Sequence, residues 1–179
     1  MPKRRAGQGF TLIELMLVVL IIGLMASILM PALIDALQKA RQKRTITDIK
    51  GIGLAWMSWL TDQQSAASAG SSKVIDTSTF STVNYPQLFT YLHPTSSFFY
   101  AQEVPQTDGW GGELDFRHRL DDDGDVQSVF VCSSASNGGF EACSLDDIPI
   151  SSFLSTDYKQ DIVWVDGFFI RWPSGVRPD

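Results

Sequence analysis

Residues 9–35 read Gly-Phe-Thr-Leu-Ile-Glu-Leu-Met-Leu-Val-Val-Leu-Ile-Ile-Gly-Leu-Met-Ala-Ser-Ile-Leu-Met-Pro-Ala-Leu-Ile-Asp. No charged residue lies between Glu14 and Asp35. As an α-helix, the 20 residues of this interval rise about 30 Å, which matches the hydrocarbon thickness of a bilayer. The stretch is therefore predicted to form a membrane-spanning helix.

The residues before the apolar run place a processing signal ahead of it. Residues 1–9 contain three basic side chains and end in Gly9, whereas a secretory signal peptide has its cleavage site after the apolar region. With Gly-Phe-Thr-Leu-Ile-Glu at 9–14, this arrangement resembles the class III leader of type IV pilins and type II secretion pseudopilins. The resemblance implies that a prepilin peptidase cleaves after Gly9 and methylates the new N-terminus on Phe10.

Glu14 is a carboxylate near the start of an apolar helix. On insertion scales a charge at the bilayer centre costs about 2.5–3.5 kcal/mol. One interpretation is that water reaches Glu14 at the membrane interface. The other is that Glu14 has a cationic partner, and the resemblance implies that this is the N-terminus of a neighbouring subunit during filament assembly. We favour the second, because an ionisable group in a membrane helix is by default a functional candidate.

Pro31 is a second candidate assembly residue in the span. Proline lacks the amide hydrogen that would bond back to Ser27, and it costs about 3 kcal/mol in a helix interior. A simple kink, common in membrane helices, is one interpretation. The resemblance offers another, because pilin helices loosen between the glutamate and the proline in the filament.

Charge is distributed unevenly along the 179 residues. From Gly51 onward there are 6 basic and 17 acidic residues, a net charge of −11, so no nucleic acid partner is expected. Five basic residues between Lys39 and Lys50 form either a solvated helix face or a contact with anionic lipid. Because both flanks of the span are basic, charge does not decide its orientation in the membrane. The leader resemblance puts the N-terminus in the cytoplasm and the globular part after the span, here called the head, in the periplasm.

Helical periodicity continues beyond the span. Apolar or small residues recur along one stripe, and nothing breaks the pattern until the run of Ser, Ala and Gly at 65–72. The stripe consists of Leu37, Ile46, Ile49, Gly53, Trp56 and Leu60. One helix is therefore predicted from about residue 10 to residue 64, with its second half packed under a head. Aromatic residues between 80 and 100 are also expected to pack against it.

Strand patterns dominate the last third of the chain. Residues 113–120 alternate, with Leu114, Phe116, His118 and Leu120 on one face, and 126–132 supplies a partner strand across an acidic turn at 121–125. Residues 161–165 and 168–172 flank Asp166-Gly167, a strong hairpin signal. The predicted fold is α+β and type IV pilin-like, a long helix on a small antiparallel sheet. Its parts are the leader at 1–9, the span at 10–34, the helix continuation at 35–64, a loop and connector at 65–112 with a short helix at 85–92, and the sheet at 113–179.

The segment 104–112, followed by strands and a Gly-rich loop, resembles the major pseudopilins of type II secretion, with Gly109 in place of a proline that is usual there. Those proteins hold a structural calcium in the loop after the second strand. Here the corresponding ligands would be Asn137, Glu141, Asp146 and Asp147, and the loop departs from the family pattern. Oxygen donors of this kind suit calcium.

Cys132 and Cys143 enclose ten residues, Ser133 to Ala142, which form most of the same loop. In an oxidising periplasm we predict that they form a disulfide, which on the chain-entropy model contributes roughly 3 kcal/mol. The alternative is two buried thiols. Because a single cross-link or metal ion is enough to order the loop, we expect the disulfide to replace much of the structural role of calcium.

No catalytic motif occurs, and His93 and His118 have no companion at ligand spacing, so we expect no enzyme activity. The resemblance implies a structural subunit of a type II secretion pseudopilus. Its partners would be related pilin subunits, a prepilin peptidase, an inner-membrane assembly platform and, before assembly, the lipid bilayer. The alternatives are a type IV pilus pilin, acting in adhesion, motility or DNA uptake, and a single-span binding protein that does not polymerise.

Overall fold

The computed structural model describes residues 9–67, 80–95, 97–120, 126–141, 143, 148 and 150–176. The chain divides into two compact units, Met1–Gln38 and Lys39–Asp179. The elements are α1 (Leu12–Ala67), β1 (Phe80–Thr82), α2 (Tyr85–Leu92), β2 (Leu114–Leu120), β3 (Val126–Ser133), β4 (Ser151–Phe153), β5 (Ile162–Val165) and β6 (Phe168–Pro173).

The first unit is the N-terminal part of α1. Its large apolar side chains between Leu12 and Ile34 are 46–76% exposed. Among the described residues, α1 is the one helix that is long and apolar enough to cross a membrane. The helix continues to Ala67, three residues beyond the predicted end.

In the second unit, the stripe on α1 forms one side of the main hydrophobic core. Ile49, Trp56 and Leu60 are 0–3% exposed and pack with residues of the sheet. Successive residues of the stripe from Ile46 to Leu60 are three or four positions apart, which places them on one helix face. The predicted stripe is confirmed from Ile46 onward. Leu37, by contrast, is 51% exposed and belongs to the first unit.

The sheet has six strands in the order β1-β2-β3-β5-β6-β4. The predicted antiparallel pairs β2–β3 and β5–β6 are confirmed. The second pair turns at Asp166 and Gly167, whose φ angles are 47° and 101°, as the favoured two-residue hairpin turn requires.

Two features of the sheet differ from the prediction. The connector contributes β1, and β4 pairs with β6 in parallel, so the sheet is only mostly antiparallel. Both strands are three residues long, too short to show a repeating pattern. The acidic turn at 121–125 lies outside the described residues.

Strand β2 keeps the predicted alternation in its first half only. Leu114 and Phe116 are buried, but His118 is half-buried and Leu120 is 39% exposed. The register with β3 shifts between Arg119 and Leu120, which explains why the end of the strand leaves the core. Partial burial lowers the pKa of His118, because desolvation disfavours the charged imidazolium.

Helix α2 forms at the predicted residues. Asn84 and Gln87 make a capping box at its start, and Pro86 occupies the first turn, where its missing amide hydrogen is not needed.

The predicted packing of aromatic residues on α1 is correct only for some of them. Tyr91 stacks on Trp59, with 4.6 Å between ring centroids. Tyr100 donates a hydrogen bond to Asp62 (2.8 Å), which raises the pKa of Tyr100. Phe89, in contrast, is 43% exposed, and its ring stacks on His93.

Candidate functional site

The start of α1 is a capping box. Thr11 occupies the N-cap position, and its hydroxyl accepts a hydrogen bond from the Glu14 amide (3.3 Å). A carboxylate oxygen of Glu14 in turn accepts hydrogen bonds from the Thr11 amide (3.0 Å) and the Thr11 hydroxyl (2.9 Å). This is the Thr-x-x-Glu form of the motif, in which cap and third residue satisfy each other's main-chain donors. Within one chain, the carboxylate is therefore held by its own helix terminus.

The predicted processing residues lie just ahead of this cap. Gly9 and Phe10 are exposed and outside the helix, with the Phe10 side chain 86% exposed. Residues 1–8 of the predicted leader lie outside the described residues. Cleavage after Gly9 and methylation of Phe10 stay predictions.

Pro31 lies inside α1 without ending it. Four residues earlier, the Ser27 hydroxyl donates a hydrogen bond to the Leu24 carbonyl (2.7 Å), so this polar side chain is satisfied within its own helix. Pro31 itself is exposed. The predicted loosening of the helix in a filament stays a prediction.

The predicted disulfide between Cys132 and Cys143 is present. The two Cα atoms are 6.3 Å apart, inside the usual range of about 4.4–6.8 Å. Both residues are buried in a small second core together with Phe130 and Val163. The loop between the cysteines is thus fixed at both ends to the sheet.

Asp161, which the sequence did not single out, lies beside this disulfide. Its side chain is 2% exposed, and one carboxylate oxygen accepts a hydrogen bond from the Cys143 amide (3.2 Å). A ligand atom from each of Cys132, Cys143 and Asp161 lies within 4.8 Å of the other two. No local motif could have revealed this contact, because Asp161 is 18 residues beyond Cys143.

Two of the four predicted calcium ligands, Asn137 and Glu141, lie among the described residues. Asn137 is exposed, and its side-chain oxygen accepts a hydrogen bond from the Gly139 amide (3.1 Å) in a local turn. Glu141 is also exposed, and Asp146 and Asp147 lie outside the described residues. Two exposed side chains do not by themselves form a calcium site, and calcium binding stays a prediction.

Comparison with known proteins bears on the N-terminal helix. Residues 4–30 match the prokaryotic N-terminal methylation motif. This chain carries a prepilin-type N-terminus. The predicted resemblance to pilins and pseudopilins is thereby confirmed for the region that contains the cap, Glu14 and most of the apolar span.

The similar curated proteins are all named type II secretion system core protein G. The protein of Vibrio cholerae is 47% identical over 49 residues, which cover 27% of this chain and 34% of that protein. The protein of Aeromonas hydrophila is 45% identical over 49 residues, again 27% and 34% of the two chains. The protein of Klebsiella michiganensis is 38% identical over 47 residues, covering 26% of this chain and 33% of the relative. Each match thus spans about a third of the relative's length. No solved structure gives a significant match.

Outside the matched region, a buried carboxylate organises the turn before β2. Asp108 is 2% exposed and accepts hydrogen bonds from the amides of Trp110 and Gly112 (2.9 Å each). The Ser133 hydroxyl at the end of β3 donates a third (2.6 Å). Three donors satisfy the buried carboxylate, so it holds the turn against the sheet.

Gly109 fastens the same turn to the second part of α1. Its amide donates a hydrogen bond to the Thr45 hydroxyl (2.8 Å), and a Cβ atom at this position would lie 2.9 Å from Cα of Arg41. A proline here would lose the amide donor and place its ring against the helix backbone. The close approach to α1 therefore requires glycine at position 109.

Proposed function

We propose that the chain is a structural subunit of a type II secretion pseudopilus, which supports protein export across the outer membrane. The observation that carries this proposal is a prepilin-type N-terminus on a helix whose apolar side chains are exposed throughout the span. A plain membrane anchor needs no such N-terminus. Before assembly, the subunit would be a single-pass inner-membrane protein with a cytoplasmic N-terminus and a periplasmic head.

The exposed half of α1 requires a cover from outside the chain. The apolar side chains between Leu12 and Ile34 are 46–76% exposed, and contact of so much apolar surface with water is unfavourable. Lipid covers them in the membrane, and the same helix of other subunits covers them in a filament. A contact between different faces of identical subunits need not close on itself, so it generates a helical filament.

Glu14 gives the assembly its register in this proposal. Cleavage after Gly9 leaves a cationic amine on Phe10, and in a low-dielectric filament core this amine attracts the Glu14 carboxylate of a neighbour. The capping box holds the carboxylate at the helix terminus until that partner arrives. The prepilin peptidase and an inner-membrane assembly platform are the further partners that this pathway needs. The role is structural, and we propose no catalytic activity.

Two measurements in a host with the prepilin peptidase test the proposal. Intact mass and N-terminal sequencing should show a mature chain that starts at methylated Phe10. The variant Glu14→Val should insert into the membrane but fail to enter filaments. Ser27→Val is the matched control, because it also replaces an exposed polar residue of the same span by valine and should assemble normally.

Three results would contradict the proposal. Cleavage within the span, or an uncleaved chain, removes the processing step. Normal incorporation of Glu14→Val into filaments removes the pairing of Glu14. If the mass is as expected but neither variant nor wild type polymerises, the chain is a processed anchor and the filament role is wrong.

A further inference from the structure

Three potential metal ligands converge behind the sheet. Cys132 lies on β3, and Asp161 immediately precedes β5, the strand that pairs with β3. Cys143 comes from the loop and is held over the strands by its amide hydrogen bond to Asp161 (3.2 Å). Because two of the three residues are fixed by neighbouring strands, their separation is set by the sheet register.

The burial and spacing of these residues fit a metal site. Cys132, Cys143 and Asp161 are 0%, 1% and 2% exposed, and a carboxylate oxygen of Asp161 lies within 4.8 Å of both sulfurs, which the disulfide joins in this structure. Zinc binds thiolate sulfur at about 2.3 Å and carboxylate oxygen at about 2.0–2.2 Å, so tetrahedral zinc holds two sulfurs about 3.8 Å apart. A Cα separation of 6.3 Å for the two cysteines allows this spacing.

We propose that the reduced chain, before its disulfide forms, binds one zinc ion through the two thiolates and the Asp161 carboxylate. Two soft sulfur donors and one oxygen donor suit zinc better than calcium, which takes oxygen ligands. A tetrahedral ion would have one position left for water. The disulfide form cannot bind in this way, since its sulfurs carry no negative charge.

Formation of the disulfide then replaces the zinc ion by a covalent cross-link of the loop. One thiolate attacks a disulfide of an oxidant, and the second thiolate attacks the resulting mixed disulfide. The new S–S bond joins Cys132 to Cys143. The oxidant gains two electrons, takes up two protons and leaves as a dithiol. Zinc, which has lost both thiolate ligands, is released to water. In the reduced chain zinc links β3, the loop and the start of β5, and its binding free energy adds to folding.

The test uses the full chain in detergent, with the disulfide either intact or reduced by a phosphine without oxygen. The reduced chain should bind one zinc ion, and the oxidised chain none. Cobalt(II) added to the reduced chain should give thiolate-to-cobalt charge-transfer bands and the visible bands of a tetrahedral site. Addition of zinc should remove both sets of bands.

Asp161→Asn separates the metal site from a merely structural role, since its amide oxygen can still accept the Cys143 amide. We expect this variant to form the disulfide and to melt like the wild type when oxidised. When reduced, it should bind zinc about 100-fold more weakly or worse, because loss of an outer-shell partner alone costs about 10–100-fold. Asp157→Asn is the matched control, a half-buried aspartate with local hydrogen bonds to Lys159 and Gln160, and it should bind zinc normally.

Either of two outcomes overturns the proposal. The first is no zinc binding by the reduced wild-type chain. The second is equal zinc affinity for the wild type and Asp161→Asn, which would mean that two thiols bind the metal alone, whether the head is folded or not. Both outcomes leave the filament role of the N-terminal helix unaffected, since that role is tested by processing and assembly.

Discussion

The two parts of α1 show opposite surfaces within one helix. Up to Gln38 the large apolar side chains are exposed, as with Leu20 at 69%, whereas Ile49 and Trp56 in the later part are fully buried. The later part is covered by strands of its own chain, and the earlier part by nothing in its unit. Helix formation is common to both parts, so what differs is the source of the cover. The head supplies its own, whereas in the proposed function lipid or other subunits cover the span.

The sharpest test of this comparison is one substitution made in both parts. Leu60→Ala removes a side chain that is 3% exposed and should lower the unfolding free energy of the head by about 2–5 kcal/mol. Leu20→Ala, the matched control, should leave that free energy unchanged. Urea unfolding in detergent, followed by the fluorescence of the buried Trp56 and Trp164, measures both. Equal losses in the two variants would show that the span also packs within the chain.

The disulfide should have the next largest effect, and only on the head. Replacing both Cys132 and Cys143 by alanine should cost about 3 kcal/mol on the chain-entropy model. Melting of the oxidised wild type with and without a calcium chelator tests whether calcium orders the loop instead. We expect a small change with chelator and a large one in the double variant. A large drop with chelator and little change in the double variant would restore calcium as the fastener of the loop.

Local patterns predicted much of this head, and contacts between distant residues were missed. The stripe from Ile46 to Leu60, helix α2 and the two hairpins each produce a repeat or a turn signal within a short window. Strand β4 does not, because three residues that pair in parallel with β6 depend on a long connection. Asp161 was missed for the same reason, since its proximity to the disulfide arises from the pairing of β3 with β5.

A pair of glycines two residues apart in α1 gives a smaller but opposed pair of effects. A Cβ atom on Gly53 would lie 2.6 Å from the Trp164 ring, whereas Gly51 has nothing within 4 Å. Gly53→Ala should therefore destabilise the head by about 1–3 kcal/mol through overpacking. Gly51→Ala should stabilise it by up to about 1 kcal/mol, because alanine is the better helix former. If both variants were stabilised in urea unfolding, Trp164 would have room to move and the close contact would not be rigid.

Removal of the cap side chain from each of the two capping boxes should give the smallest difference in stability between span and head. Asn84 caps α2, whose Leu88 and Leu92 lie in the core, so Asn84→Ala should lower the unfolding free energy of the head by about 1 kcal/mol. Thr11→Ala removes the corresponding hydroxyl from α1, where the first turn is exposed. It should leave unfolding of the head unchanged and only speed amide hydrogen exchange in that first turn, since a frayed helix end opens without disturbing a core. Hydrogen exchange by mass spectrometry distinguishes the two, and a loss of head stability in Thr11→Ala would show that the start of α1 is coupled to the head after all.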